Sequence, residues 1–297
     1  MRSFRLMALL AMCLMLLAAP VQAKTTITFW HGMGGELGEI TDEMIKEFNA
    51  SQDKYEVKGV YKGNYDEAMT AAIAAFRAKQ HPNLIQIFEV GTASMMAAKG
   101  AIRPVYEIME AAGTPVDTSK LLGSVASYYS STDGKLIAMP FNASTTVLYY
   151  NKDAVKKAGG DPDHFPTTWP EVAELAKKIK ESGACKYGLT SGWQSWVQLE
   201  SFSAWHNVPF ATNNNGYDGL DTKLLFNSPL HVKHIDFLSK LQKDGVMVYV
   251  GRKSEAINAF TSGEAGILMN SSGSYAAVKA GANYQWGVAR LPHWPDG

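Results

Sequence analysis

This chain of 297 residues has few cysteines and no formal net charge. The two cysteines are Cys13 and Cys185, and Cys13 lies in an apolar N-terminal run. The rest of the chain therefore has one thiol, which excludes an internal disulfide, and no Cys/His spacing indicates a zinc site. The formal net charge is +0, with 28 Lys+Arg and 28 Asp+Glu. This balance argues against binding to nucleic acid or to a membrane surface.

Catalytic signatures are also missing from the sequence. No G-x-S-x-G, H-E-x-x-H or P-loop motif occurs, and the acidic residues are scattered, with no assignable acid/base pair. The glycine-rich run 32–38 resembles a dinucleotide-binding loop, but Leu37 stands where the third glycine belongs. We therefore predict no catalytic residues, no metal, no cofactor and no enzymatic activity.

The first 23 residues have the pattern of a secretory signal peptide. Arg2 and Arg5 precede an apolar run over 6–19, and 21–23 (Val-Gln-Ala) resembles a cleavage site. The alternative is a membrane anchor, but the run is short for a span of about 20 residues. Cleavage would leave 26 Lys+Arg against 28 Asp+Glu, a net charge of −2. Export without a disulfide fits the bacterial periplasm.

The remaining chain is long enough for two domains of ordinary size. Strand-like and helix-like patterns alternate along it, which predicts α/β architecture with largely parallel sheets. The stretch 134–153 is expected to leave one lobe and enter the second. We predict lobe 1 over 24–138 and lobe 2 over 139–286, with 287–297 returning to lobe 1. Because the chain ends directly after a strand pattern, we expect it to be C-terminally incomplete.

Candidate ligand residues follow three predicted strands. In open α/β sheets, ligands bind beyond the carboxyl ends of the strands. Glu89 follows the apolar run 84–88, Trp193 follows 187–189, and Ser271 follows 265–269. The serines at 271–274 open a predicted helix, where free N–H groups favour anions; plain helix capping is the alternative.

Aromatic and histidine residues supply further candidates. Trp193 and Trp196 would lie on one helix face and could form a platform for a polyol or a cation, although simple packing is the alternative. Tyr65 begins a helix with an Asn64 cap. His231 and His234 are three residues apart without a third ligand, so we expect them on an exposed helix face.

Several segments together resemble one family, the bacterial extracellular solute-binding proteins, and within it the sn-glycerol-3-phosphate-binding subunits of ABC importers. The similar segments are 28–31 (TFWH), 61–65 (YKGNY), 74–77 (AAFR), 89–93 (EVGTA), 140–144 (PFNAS), 147–153 (VLYYNKD), 191–196 (SGWQSW), 202–205 (FSAW), 249–253 (YVGRK) and 271–274 (SSGS). They extend over essentially all of the chain after residue 23.

The resemblance implies an α/β, two-lobed periplasmic-binding-protein (type II) fold with a hinge and an interlobe cleft. It places ligand contacts on Tyr65, Glu89, Ser144 and Ser271, with Trp193 and Trp196 beside the glycerol. The family's phosphate-binding arginine would lie beyond Gly297. The implied partners are sn-glycerol-3-phosphate, or a related small polar solute, and the ABC permease with its ATPase. We expect a periplasmic monomer. Alternative ligands are a glycerophosphodiester, a sugar or an oligosaccharide, and the alternative class is a secreted phosphodiester hydrolase.

Overall fold

The computed structural model describes residues 23–88, 91, 92, 94, 95, 98, 100–219 and 221–295. Except for Ala23, the predicted signal peptide lies outside these residues. The chain divides into two compact units between Ala101 and Ile102. The predicted lobe boundary after Ala138 stays a prediction, and each unit is described by itself.

The first unit alternates strands and helices around a small parallel sheet. Its elements are β1 (Thr25–His31), α1 (Gly35–Ser51), β2 (Tyr55–Tyr61), α2 (Tyr65–Arg77) and β3 (Leu84–Ile85). The strand order is β2-β1-β3, and β1 is parallel to both neighbours. The parallel arrangement confirms the sequence prediction for this unit, although β3 is shorter than the apolar run that predicted it.

Helix α2 begins at the residue that the capping pattern indicates. The Asn64 side chain accepts hydrogen bonds from the backbone N–H groups of Asp66 and Glu67, at 3.1 and 3.2 Å, and Glu67 accepts from the Asn64 N–H at 2.7 Å. This reciprocal pair satisfies donors that a helix N-terminus otherwise leaves unpaired. It fixes Tyr65 as the first helical residue.

Helix α1 turns only part of its apolar stripe toward its sheet; the sequence pattern predicts one inward stripe of Ile40, Met44, Ile45 and Phe48. Ile40, Met44 and Phe48 are 53%, 52% and 43% exposed, whereas Thr41 is buried. Ile45 lies against Gly59 of β2, so the face that carries Thr41 and Ile45 meets the strand. The inward face that the sequence pattern predicts is therefore confirmed for Ile45 and wrong for Ile40, Met44 and Phe48.

The second unit holds a five-stranded sheet with helices on both faces. Its helices and strands are α3 (Val105–Ala111), α4 (Gly123–Tyr128), β4 (Thr146–Asn151), α5 (Lys152–Lys157), α6 (Trp169–Glu181), β5 (Tyr187–Ser191), α7 (Ser201–Trp205), α8 (Pro229–Lys243), β6 (Met247–Val248), α9 (Glu255–Thr261), β7 (Ala265–Ser271), α10 (Tyr275–Gly281) and β8 (Trp286–Ala289). A π-helical turn, Trp196–Glu200, precedes α7, and a 3₁₀ turn, Ser272–Ser274, precedes α10. The unit also contains a 3₁₀ turn, Thr118–Lys120, and a short turn with positive φ angles within Thr212–Gly216.

This sheet is mixed rather than largely parallel. The strand order is β6-β5-β7-β4-β8; β6, β5 and β7 are parallel, and β4 is antiparallel to both β7 and β8. One hydrophobic cluster covers each face. The larger contains the inner stripe of α6, with Val172, Ala176 and Ile179 fully buried, and the smaller surrounds Phe260. In the sequence, Val172, Leu175, Ala176 and Ile179 recur with the 3.6-residue period that predicts the inner face of a helix, and all four are buried.

Two further predictions are corrected in this unit. Strand β8 pairs with β4, and Trp294 is packed in the larger cluster, so 286–294 belong to this unit and do not return to lobe 1. His231 and His234 are 1% and 0% exposed, not on an exposed face, because α8 turns them toward α7. No helix in the described ranges is long and apolar enough to cross a bilayer.

Candidate functional site

Three chain segments meet at one edge of the five-stranded sheet. Strands β5 and β7 are parallel, so their carboxyl ends lie at the same edge, and β4 begins there because it is antiparallel to β7. The Gly192 N–H donates to the Met269 carbonyl at 3.0 Å, and the Ser272 N–H donates to the Thr145 carbonyl at 2.8 Å. Residues 144–145, 191–193 and 270–272 are therefore neighbours.

This edge brings together four of the six predicted site residues. They are Ser144, Trp193, Trp196 and Ser271. Ser144 is exposed one residue before Thr145, whose N–H donates to the Ser272 hydroxyl at 3.1 Å. Ser271 is the last residue of β7, and its hydroxyl oxygen accepts from the Gly273 N–H at 3.0 Å. Ser271 therefore caps the following turn, as the alternative interpretation of this serine predicts. Because a hydroxyl both accepts and donates, Ser271 can also donate to a ligand.

The backbone at Trp193 has an unusual conformation. Its φ is +47°, in the left-handed region that costs a non-glycine residue roughly 1–2 kcal/mol. Its N–H donates to the Lys253 carbonyl at 3.3 Å, and its own carbonyl accepts from Val197 at 2.9 Å. Such strain tends to persist at functional sites. The turn leaves both Trp193 and Trp196 half-buried against the larger hydrophobic cluster.

A buried polar chain supports this turn from below. His234 Nε2 donates to the Gln198 amide oxygen at 3.0 Å, and the Gln198 amide nitrogen donates to Ser191 Oγ at 3.0 Å. The Ser191 hydroxyl in turn donates to the Gly192 carbonyl at 3.2 Å. Desolvation by burial lowers the pKa of His234 to about 3, so this ring is neutral. The chain links the core of the unit to the turn that carries Trp193.

Asn270 and Gln198 are polar residues at this edge that the sequence analysis missed. Asn270 is fully buried; its amide oxygen accepts from the Ser271 N–H at 2.7 Å, and its amide nitrogen lies against Gly192. A polar residue before the strand end is the only sequence signal that could have indicated it. Gln198 lies within an aromatic helical pattern, and its inward direction depends on the π-helical turn, which the sequence does not reveal.

Of the other two predicted residues, the structure describes Tyr65, in the first unit. The Tyr65 ring is stacked on Phe88 with centroids 5.2 Å apart. Gly32 allows this ring to lie close, because a Cβ there would be 2.8 Å from Tyr65 Cδ1. Glu89 lies outside the described residues. No group of three or more metal-ligating side chains occurs in the part of the chain that the structure describes.

The parallel β1–β3 sheet, the mixed β4–β8 sheet and the polar strand ends define an α/β protein of the two-lobed type II periplasmic-binding class. A family model described as bacterial extracellular solute-binding protein matches residues 34–297. The chain belongs to this family.

Among curated relatives, the chain is 50% identical over 273 residues to the sn-glycerol-3-phosphate-binding periplasmic protein UgpB of Brucella abortus. That match covers 92% of this chain and 63% of the relative. The chain is 49% identical over 281 residues to UgpB of Escherichia coli, which covers 94% of this chain and 64% of the relative. It therefore spans a little under two thirds of the length of these relatives.

Two solved structures show the same fold at lower identity. UgpB from Mycobacterium tuberculosis, in complex with glycerophosphocholine, matches with a TM-score of 0.77 and 23% identity, covering 92% of this chain and 69% of that one. The GacH receptor of Streptomyces glaucescens, solved unliganded and with acarbose, matches with a TM-score of 0.77 and 20% identity, covering 93% and 69%.

Proposed function

We propose that the protein is the substrate-binding component of an ABC importer and that its ligand is sn-glycerol-3-phosphate. The observation that carries the proposal is the convergence of Ser144, Ser271 and Trp193 at one sheet edge, in a chain about half identical to UgpB relatives. Such an edge offers hydroxyl donors next to an aromatic face, which suits a small anion with an apolar carbon skeleton.

Each predicted site residue has a role in this proposal. The Ser144, Ser271 and Tyr65 hydroxyls donate to phosphate oxygens. Trp193 and Trp196 cover the carbon skeleton of the glycerol. Glu89 accepts hydrogen bonds from the glycerol hydroxyls, because a carboxylate accepts from a polyol but repels a phosphate.

A glycerophosphodiester is the second candidate ligand. The M. tuberculosis UgpB structure contains glycerophosphocholine, and the half-buried Trp193 and Trp196 rings could face its quaternary ammonium through cation–π attraction. A sugar is a third candidate, since the GacH receptor was solved with acarbose.

The proposal further holds that the ligand is bound and released without chemical change. The protein would act in the periplasm as a monomer after cleavage of residues 1–23. It would deliver the ligand to the membrane permease, which is driven by its ATPase. Ligand-dependent hinge closure, which the permease recognises, would follow from a higher affinity of the closed form for the ligand.

Isothermal titration calorimetry of the purified full-length protein tests the proposal. We expect binding of sn-glycerol-3-phosphate, weaker binding of glycerophosphocholine and no binding of maltose. Glu89→Ala and Trp193→Ala should each weaken binding about tenfold or more, the loss typical of a hydrogen bond to a charged group or a desolvated aromatic contact. Trp205→Ala is the control, because Trp205 is 46% exposed. No binding of sn-glycerol-3-phosphate, or unchanged affinity in both site variants, would contradict the proposal.

A further inference from the structure

The loop 249–254 between β6 and α9 runs beside the Gly192–Trp193 turn. The Trp193 N–H donates to the Lys253 carbonyl, and a Cβ on Gly192 would lie only 2.4 Å from that carbonyl oxygen. The Lys253 N–H donates to Glu255 Oε2 at 2.7 Å. The backbone of Lys253 is therefore held on both sides, by the turn and by the first residue of α9.

The side chain of Lys253 is directed toward the same turn. Its Nζ lies 6.0 Å from the centre of the Trp193 ring, at the outer limit of a cation–π contact, and the residue is half-buried. The ammonium group is thus placed next to one of the proposed ligand-binding aromatic rings by a backbone that has little room to move.

The backbone of Lys253 also lies close to the end of β7. A Cβ on Gly192 would lie 2.4 Å from the Lys253 carbonyl oxygen and 2.7 Å from the Asn270 amide nitrogen, so Lys253 and the residue before Ser271 flank the same glycine. Neighbouring strands lie about 4.8 Å apart. Lys253 therefore stands at the edge that carries Ser271 and, across β7, Ser144.

One acidic side chain, Glu255, lies beside the backbone of Lys253. The backbone N–H groups of Glu255 itself and of Lys253 hold the pKa of the Glu255 carboxyl below its ordinary value. The Glu255 carboxylate therefore stays ionised, and the positive charge of Lys253 partly offsets it. A phosphate group at this edge would meet one ammonium group and several hydroxyl donors, a combination that binds phosphate well.

We propose that Lys253 supplies the positive charge that meets the phosphate of the ligand. This inference rests on the proposed function and adds to it a ligand-contacting residue within the described chain. It also specifies selectivity, because a monoester phosphate carries more charge than a diester. Removal of the ammonium group should then weaken the binding of a glycerol monoester phosphate more than the binding of a glycerophosphodiester.

Calorimetry with four variants of the full-length protein tests the inference, with sn-glycerol-3-phosphate and glycerophosphocholine as probes at low and high salt. Lys253→Met and Lys253→Gln remove the charge in two ways, and Lys253→Arg keeps it. Lys243→Met is the matched control: Lys243 ends α8 ahead of β6, at the opposite edge of the sheet. Thermal unfolding of each variant checks that the fold is intact.

We expect both neutral variants to bind sn-glycerol-3-phosphate about tenfold more weakly or worse, with a smaller loss for glycerophosphocholine and a reduced salt dependence. Lys253→Arg should remain within a few-fold of the unaltered protein, and Lys243→Met should match it. If the unaltered protein binds sn-glycerol-3-phosphate and a folded neutral variant binds it equally well, the proposed role of Lys253 is overturned and the proposed function still stands. If the unaltered protein does not bind it, the proposed function is overturned, and this role with it.

Discussion

The Gly192 N–H donates a 3.0 Å hydrogen bond to the carbonyl oxygen of Met269. This bond extends the β5–β7 ladder by one residue beyond Ser191, the last residue of β5. It places the turn that carries Trp193 beside the end of β7 that carries Ser271. A large part of the candidate site therefore depends on how closely Gly192 can approach its neighbours.

Gly192→Ala should damage this arrangement. A Cβ there would lie 2.4 Å from the Lys253 carbonyl oxygen and 2.7 Å from the Asn270 amide nitrogen. Backbone must shift to relieve the first contact, and overpacking of this kind costs about 1–3 kcal/mol of stability. We expect a lower midpoint in urea unfolding together with weaker ligand binding.

The matched control is Gly123→Ala, because a Cβ on Gly123 at the start of α4 meets no atom within 4 Å. This change should leave both the unfolding midpoint and ligand affinity close to those of the unaltered protein. Equal unfolding midpoints for the two variants would show that the Gly192 contact is not tight.

Comparison of Ser271→Ala with a second cap variant distinguishes the capping role of Ser271 from its proposed contact with the ligand. The Ser271 hydroxyl accepts from the Gly273 N–H at the start of the turn before α10, and loss of such a cap costs about 0.5–2 kcal/mol. Ser228 caps α8 in a similar way, by accepting from the His231 N–H. We expect both Ser271→Ala and Ser228→Ala to lower the thermal midpoint, and only Ser271→Ala to weaken sn-glycerol-3-phosphate binding as well. If both variants lost affinity to the same extent, the loss in Ser271→Ala would result from lower stability and not from a missing ligand contact.

Cys185 should be inert in the folded protein. Its side chain is buried, and burial raises the pKa of its thiol to about 11, so very little reactive thiolate is present at pH 8. We expect slow reaction with an aromatic disulfide reagent in buffer and complete reaction of one thiol per chain in 8 M urea, monitored by absorbance, after removal of residues 1–23. Rapid reaction in buffer would mean that the Cys185 side chain is accessible.

Local signals explain what the sequence could predict. Helix α8 starts and ends where Ser228, Pro229 and Lys243 indicate, and the capping pairs Asn64–Glu67 and Thr168–Glu171 mark the starts of α2 and α6. These features depend on residues three or four apart, so a sequence window contains the whole interaction.

The features that the sequence could not predict depend on pairing between distant parts of the chain. The antiparallel contact of β4 with β7 joins Thr146 to Ser271 across more than a hundred residues, and nothing near either residue specifies it. Ser144 and Ser271 were both selected as candidates, but their proximity follows only from this pairing. The positive φ of Trp193 likewise accompanies a long-range contact, the hydrogen bond from its N–H to the Lys253 carbonyl, and the preference of tryptophan itself does not indicate it.

Burial of histidine predicts acid sensitivity for the second unit. His206, His231 and His234 are all buried, and burial lowers the pKa of each below 6.5, for His234 to about 3. The unfolded chain then binds more protons than the folded chain between about pH 6.5 and 3. Stability is complete above the unfolded pKa of about 6.5 and falls as the pH decreases, by about 1.4 kcal/mol per pH unit for each histidine that stays neutral.

Urea unfolding at pH 7.5 and pH 5 measures this effect. His234 alone should reduce the free energy of unfolding by about 2 kcal/mol over that interval. His234→Gln removes the titrating group, and although it disturbs the contact with Gln198 at every pH, it should reduce the difference between the two pH values. His81→Gln, at an exposed position, is the control and should leave that difference unchanged. If His234→Gln also left it unchanged, His234 would have to be accessible to protons in the folded state, and the polar chain from His234 to Gly192 could not have the fixed donor directions described above.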